Sequence, residues 1–222
     1  MTHTALKIGM DVRQLLDWAC SKTPTSSDYE QVTQFVKSSR LLSPIVGQIS
    51  SLRPGSLVLD DALLCLLQCY SRPTYRIMPI QQDCSLALEK DDEKLYIEPD
   101  KSVSYVYPLN ISMSHWILGI VSQHLTLLYY PLGIQAAQRG TACIEYLTTQ
   151  GTKLFGTYNV CQFYGLPRQP DNTSCGLYVV YYFEQFVSTR RTQVVLQPKI
   201  DLLAIQLMKQ IIDTSISSQS VD

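Results

Sequence analysis

The sequence predicts an α+β domain with a mixed central sheet flanked by helices, and three observations predict it. Apolar residues recur at helical spacing towards both ends of the chain. Three β-type runs crowd between residues 102 and 130. A further strand pattern lies between two later helical patterns, 133–149 and 175–189.

Each element has a local reason. Residues 5–20 repeat apolar side chains with helical period, and residues 28–38 do so again after the Ser/Thr/Pro stretch 21–27, with Asp28 placed to cap. Residues 59–70 make a third helix, with Asp60 or Asp61 at its start. The segment 81–100 carries the charge run Glu89-Lys90-Asp91-Asp92-Glu93-Lys94, expected as a solvated loop. Strands are expected over 102–107, 116–122 and 125–130, the last two joined by the turn Gln123-His124. A helix over 133–149 should lie on the sheet, and a strand over 156–164 should deliver the loop that precedes the central helix, 175–189. A last amphipathic helix spans 200–212. The division expected is an N-terminal helical extension at 1–50, packed on a domain at 51–214, and a polar tail at 215–222 that frays.

Composition excludes several classes of function. Of 222 residues, 45% are hydrophobic and 17% charged, the balance of a globular chain rather than a disordered one. A formal charge of −1 with no long basic run gives nucleic-acid binding no electrostatic support. No apolar run reaches the roughly 20 residues of a membrane span, and the first residues carry no apolar leader core. A soluble intracellular protein, cytoplasmic or nuclear, is the expectation. Seven cysteines, an odd number, point to reduced thiols. Cys65 and Cys69 stand four residues apart on a helical pattern with no second ligand pair. They read as core, as do Cys20, Cys84, Cys143 and Cys161, so no metal and no cofactor are expected.

The chemistry concentrates in Gln169-Pro170-Asp171-Asn172-Thr173-Ser174-Cys175-Gly176 and the apolar helix that follows. A cysteine in a first helical turn meets unpaired backbone N–H groups and the positive end of the helix dipole, both of which favour a thiolate. His115-Trp116 heads a strand pattern, and a strand histidine meets a helix-start cysteine only through the fold, as a thiol nucleophile meets its base. Asp171 and Asn172 are expected to shape the turn before the helix.

These residues, in this order, resemble the ubiquitin-like-protein-specific (SUMO-type) cysteine proteases, a group related to adenovirus protease. The resemblance rests on Leu52-Arg53-Pro54-Gly55-Ser56-Leu57-Val58-Leu59-Asp60-Asp61, on Tyr107-Pro108-Leu109-Asn110 leading to His115-Trp116, and on Gln169 six positions before Cys175-Gly176. It spans about residues 52–187. It implies a papain-like, adenain-like fold with Cys175 as nucleophile and His115 as base. Gln169 and the Cys175 N–H would hold the oxyanion, and Trp116 would wall a tunnel for a Gly-Gly tail. Two positions depart from the family: Tyr130 stands where the acid that orients the histidine is usual, and Val58 where a second tunnel Trp is usual. Val58, Asp60, Asp61, Trp116 and Gly176 are the implied substrate-facing residues.

The resemblance implies cleavage after a C-terminal Gly-Gly of a ubiquitin-like modifier, either maturing the modifier or releasing it from a lysine. Two alternatives stay open: a weak or inactive pseudoprotease serving as an interaction module, and a viral or mobile-element processing peptidase with another substrate. The helices of residues 1–50 offer a surface for a protein partner.

Overall fold

The computed structural model describes residues 43–52, 55–82, 84, 98–133, 141–156, 161–165, 167–189 and 200–219. The expected helices at 5–20 and 28–38 and the charge run at 89–94 lie outside the described residues. The chain divides into two compact units, one formed by residues 1–69 with 199–222 and the other by residues 70–198.

The first unit holds α1 (Ser43–Ser51), α2 (Asp60–Tyr70) and α5 (Ile200–Gln219). Ser43 followed by Pro44 is a helix-start pair, because proline lacks an N–H that would be unpaired there in any case. Helix α2 begins where the Leu63 N–H donates to the Leu59 carbonyl at 2.9 Å, so Asp60 and Asp61 occupy its first turn, against the positive end of its dipole. Its buried stripe is Ala62, Leu63, Leu66 and Leu67. Helix α1 packs on α5, whose Leu203, Ala204, Leu207, Met208 and Ile211 are buried. Helix α5 runs to Gln219, past Ile212 where the amphipathic pattern ends and into the stretch expected to fray.

The second unit is built on six strands: β1 (Tyr75–Ile77), β2 (Gln81–Gln82), β3 (Ser104–Ile111), β4 (His115–Val121), β5 (Thr126–Tyr129) and β6 (Cys161–Tyr164). The short β1 and β2 both lie parallel to β3, beside its first and second halves. The order then runs β3, β4, β5, β6, with β3–β4 and β4–β5 antiparallel and β5–β6 parallel. This is the mixed sheet the sequence predicts.

Helices α3 (Thr141–Phe155) and α4 (Cys175–Thr189) cover opposite faces of that sheet. Side chains alternate along a strand, so neighbours on β5 report the two faces. Leu128 and Tyr130 join the apolar cluster of Cys143, Tyr146, Leu147 and Phe155 from α3. Tyr129, between them, stacks on Tyr182 of α4 with ring centroids 4.1 Å apart and planes 3° from parallel. All seven residues of β4 are buried, as a strand covered on both sides requires.

Several boundaries differ from the sequence expectation, and at two of them a glycine has left-handed backbone. Gly133 does not open a helix. It sits at φ 86°, and its N–H closes a turn on the Tyr130 carbonyl at 2.9 Å. Gly156 does not open a strand. At φ 68° it terminates α3, its N–H bonded to the Thr152 carbonyl at 2.9 Å, a left-handed cap that a Cβ would strain.

Candidate active site

Helix α4 starts with a fixed geometry. The Tyr178 N–H donates to the Ser174 carbonyl at 3.1 Å, which makes Ser174 the cap and Cys175 the first helical residue. Asp171 holds that entry. One carboxylate oxygen accepts from the Ser174 N–H at 2.7 Å, the Ser174 hydroxyl at 2.8 Å and the Thr173 N–H at 2.8 Å. Burial acts to raise the Asp171 pKa, but these donors prevail and leave it below the ordinary carboxylate value. The first turn of α4 contains no acidic side chain, so the positive end of the helix faces the sulfur.

The sulfur of Cys175 is buried, and it accepts a hydrogen bond from the Trp116 backbone N–H at 3.3 Å. Strand β5 pairs with β4 only from Leu118 onward, so Trp116 lies beyond the end of that ladder. Trp116 follows His115 directly, so this bond sets Cys175 against the peptide that joins them. Burial pushes the Cys175 thiol above its ordinary value. The N–H groups of Trp116, Gly176 and Cys175 oppose that shift, and the Asp171 charge adds to it. Desolvation thus outweighs the N–H donors of the helix start.

His115 begins β4 and is 8% exposed. The preceding turn places two consecutive non-glycine residues, Ser112 at φ 54° and Met113 at φ 53°, in the left-handed region, which costs about 1 kcal/mol or more for each. The imidazole packs against the Tyr130 ring with centroids 5.0 Å apart and planes at 36°. The phenol also stacks near Phe163, with ring centroids at 6.2 Å. Tyr130 is 1% exposed and belongs to the core cluster, so the position expected to lack its acid is filled by a packed aromatic ring.

Gln169 is 3% exposed and is fixed at both ends. Its backbone N–H donates to the Pro131 carbonyl at 2.9 Å, and its side-chain Nε2 donates to the Asp171 carbonyl at 2.6 Å. Its Oε1 is buried without a hydrogen-bond partner, a cost of about 1–3 kcal/mol. The amide that the resemblance implies for the oxyanion is thus engaged with the loop carbonyl. The same loop is held by the Tyr129 hydroxyl, which donates to the Pro167 carbonyl at 2.7 Å, and burial raises that phenol's pKa so that it remains a donor.

Cys175, Gly176, His115, Trp116, Gln169 and Tyr130 all belong to the second unit, at the head of α4, the start of β4, the end of β5 and the loop entering α4. Val58, Asp60 and Asp61 belong to the first unit. Val58 is buried at 3% exposure, Asp61 is exposed, and Leu57 and Leu59 beside them are 43% and 51% exposed. Sequence reasoning gave Asp171 only the shaping of a turn. Its position four residues before the cysteine, beside Thr173 and Ser174, was the available signal for an anchor of the helix entry. Among the described residues no group of three or more His, Cys, Asp or Glu stands close enough to hold a metal. Among the same residues no helix is long and apolar enough to cross a membrane.

A cysteine at the head of a helix, bonded to the strand of a mixed sheet that begins with histidine, belongs to the fold of the ubiquitin-like-protein proteases, and this chain has that fold. It is similar to the SUMO protease Ulp1 with its catalytic cysteine oxidised to a sulfinic acid, at a TM-score of 0.58 and 17% identity, over 86% of this chain and 95% of that one. It is similar also to the C-terminal Ulp1 protease domain in complex with Smt3, the yeast ortholog of SUMO, at 0.59 and 16%, over 88% and 97%. A de-sumoylating protease follows at 0.52 and 13%, over 78% and 88%. At these identities the likeness is one of fold. No family model matches the sequence, and no curated protein sequence matches it.

Proposed function

We propose that this protein is a cysteine peptidase of the ubiquitin-like-protease type, cleaving after a C-terminal Gly-Gly of a ubiquitin-like modifier. The observation that carries the reading is the Trp116 N–H on the Cys175 sulfur at 3.3 Å, which sets the thiol of α4 against the strand residue next to His115. In the reaction His115 takes the thiol proton, Cys175 attacks the glycine carbonyl, and His115 returns the proton to the leaving amine. The Cys175 N–H holds the oxyanion, and the Gln169 amide joins it by releasing the Asp171 carbonyl when substrate enters. Each such donor contributes on the order of 3 kcal/mol to the transition state. Tyr130 keeps the imidazole in place by ring packing rather than by charge. A Ulp1 domain complexed with Smt3 supports a modifier of the SUMO class as the first partner to test.

The second reading is a binding-only descendant. It is favoured by the aromatic ring at Tyr130 and by the burial that raises the Cys175 thiol. A modifier ending in an electrophilic Gly-Gly warhead separates the two. Labelling of the wild type that is lost in Cys175→Ala and His115→Ala supports the peptidase. Tight binding of the unmodified modifier without labelling supports the binding module, and labelling that persists in Cys175→Ala removes the assignment of Cys175.

A further inference from the structure

Two cysteines that the site does not use face each other inside the second unit. The thiols of Cys84, just beyond β2, and Cys143, in the first turn of α3, lie with their sulfurs 3.2 Å apart and are 4% and 2% exposed. Both belong to the same apolar cluster, which includes Met78, Tyr107, Tyr146 and Leu147. The sequence alone reads each as a small core hydrophobe, and nothing in the spacing of residues 59 apart links them.

We propose that Cys84 and Cys143 are a reversible redox pair that closes to an intramolecular disulfide when a small peroxide reaches it. A disulfide needs sulfurs about 2.05 Å apart, so the two sulfurs are about 1.2 Å from bonding distance. The chemistry balances with hydrogen peroxide as oxidant. One sulfur attacks the peroxide, the O–O bond breaks, and that cysteine becomes a sulfenic acid with release of one water. The second thiol then attacks the sulfenic sulfur, the S–O bond breaks, and a second water leaves as the S–S bond forms. Sulfur supplies both electrons, and a dithiol reductant restores the pair.

The bond would bear on the site through the chain it encloses. The loop between the two cysteines contains β3, β4 and β5, and so carries His115, Trp116 and Tyr130. Closing it restricts the unfolded chain far more than the folded one. A rise in midpoint on the order of 10 °C is expected for a loop of this length. The proposal does not depend on the peptidase reading, because neither its chemistry nor its readout involves substrate.

The test uses the full chain with Cys175→Ser, so that oxidation of the site cysteine adds nothing. After peroxide treatment and alkylation of remaining thiols, tryptic digestion without reductant should give peptides 77–90 and 140–153 joined, two hydrogens lighter than their sum. The thermal midpoint should rise and return with dithiothreitol, and Cys84→Ser or Cys143→Ser should each remove both effects. The joined peptide in the chain that retains both cysteines carries the test even where a serine variant fails to fold. The proposal is overturned if both thiols alkylate fully, if they appear only as sulfinic or sulfonic acids, or if the link forms elsewhere, as between Cys65 and Cys69. A linked protein whose midpoint does not rise overturns it equally.

Discussion

Replacing Asp171 separates two effects of one carboxylate on Cys175, and they have opposite signs. Its oxygen receives two backbone N–H groups and the Ser174 hydroxyl at 2.7–2.8 Å, and its charge raises the Cys175 pKa. In Asp171→Ala the exposed Thr173 N–H turns to water at little cost, but the part-buried Ser174 N–H and hydroxyl lose their acceptor. The expected loss is about 1–2 kcal/mol, a midpoint lowered by about 3–8 °C. Asp171→Asn keeps the acceptor and removes the charge, so it should cost less than about 1 kcal/mol. That neutral variant also makes the Cys175 thiol more acidic. A screened charge contact of about 0.5–1 kcal/mol corresponds to roughly two- to fivefold faster alkylation near neutral pH. Thermal denaturation gives the first quantity, and site-resolved mass spectrometry of iodoacetamide adducts at Cys175 gives the second. Slower alkylation of Cys175 in Asp171→Asn, or an Asp171→Ala midpoint equal to wild type, would refute the reasoning.

Other expected outcomes rest on the same geometry. Because the folded-state pKa of Asp171 lies below its ordinary value, its stabilisation is present above about pH 4 and is lost as pH falls through the folded value. Acid titration of stability should be shallower in Asp171→Asn. Cys175 has the reverse sign: its raised pKa means that above about pH 8.5 the unfolded chain gives up a proton the folded one keeps. Stability should therefore fall faster with rising pH in wild type than in Cys175→Ala. Tyr130→Asp replaces a ring packed against His115 and near Phe163 with a cavity and a poorly solvated charge, and should cost about 3–5 kcal/mol in urea denaturation, whereas Tyr130→Phe should cost about 1 kcal/mol. Gly119→Ala places a Cβ against the Leu147 side chain, so α3 or that leucine must shift, at about 1–3 kcal/mol by the same assay.

The elements that carry the site were legible because each has a strong local pattern. The apolar run after Cys175 is long and opens on a small Cys-Gly pair, and helix α4 spans residues 175–189 as expected. The run after His115 is short and rich in branched side chains, and β4 begins at that histidine. Strands β1 and β2, of three and two residues, are too short for alternation to show. They exist because β3 offers an edge. Gly133 and Gly156 pattern with the adjoining helix and strand, but both take left-handed backbone, and Gly156 ends α3. The approach of Cys84 to Cys143 depends on how α3 packs on the sheet, and the packing of Tyr130 on His115 on the strand register. A single sequence without its register does not state that.

The Trp116–Cys175 bond joins residues 59 positions apart, and the later one supplies the sulfur. Synthesis runs from the N-terminus, so a chain that has emerged as far as Pro170 already carries His115, Trp116 and Tyr130 but has no thiol to set beside them. Strands β3 to β5 come earlier in the chain and α3 covers one of their faces, while Tyr182, on which Tyr129 stacks, arrives only with α4. Docking that helix covers the apolar face and delivers the sulfur in the same event. The placing of the Cys175 sulfur beside Trp116 therefore waits for α4 to be made.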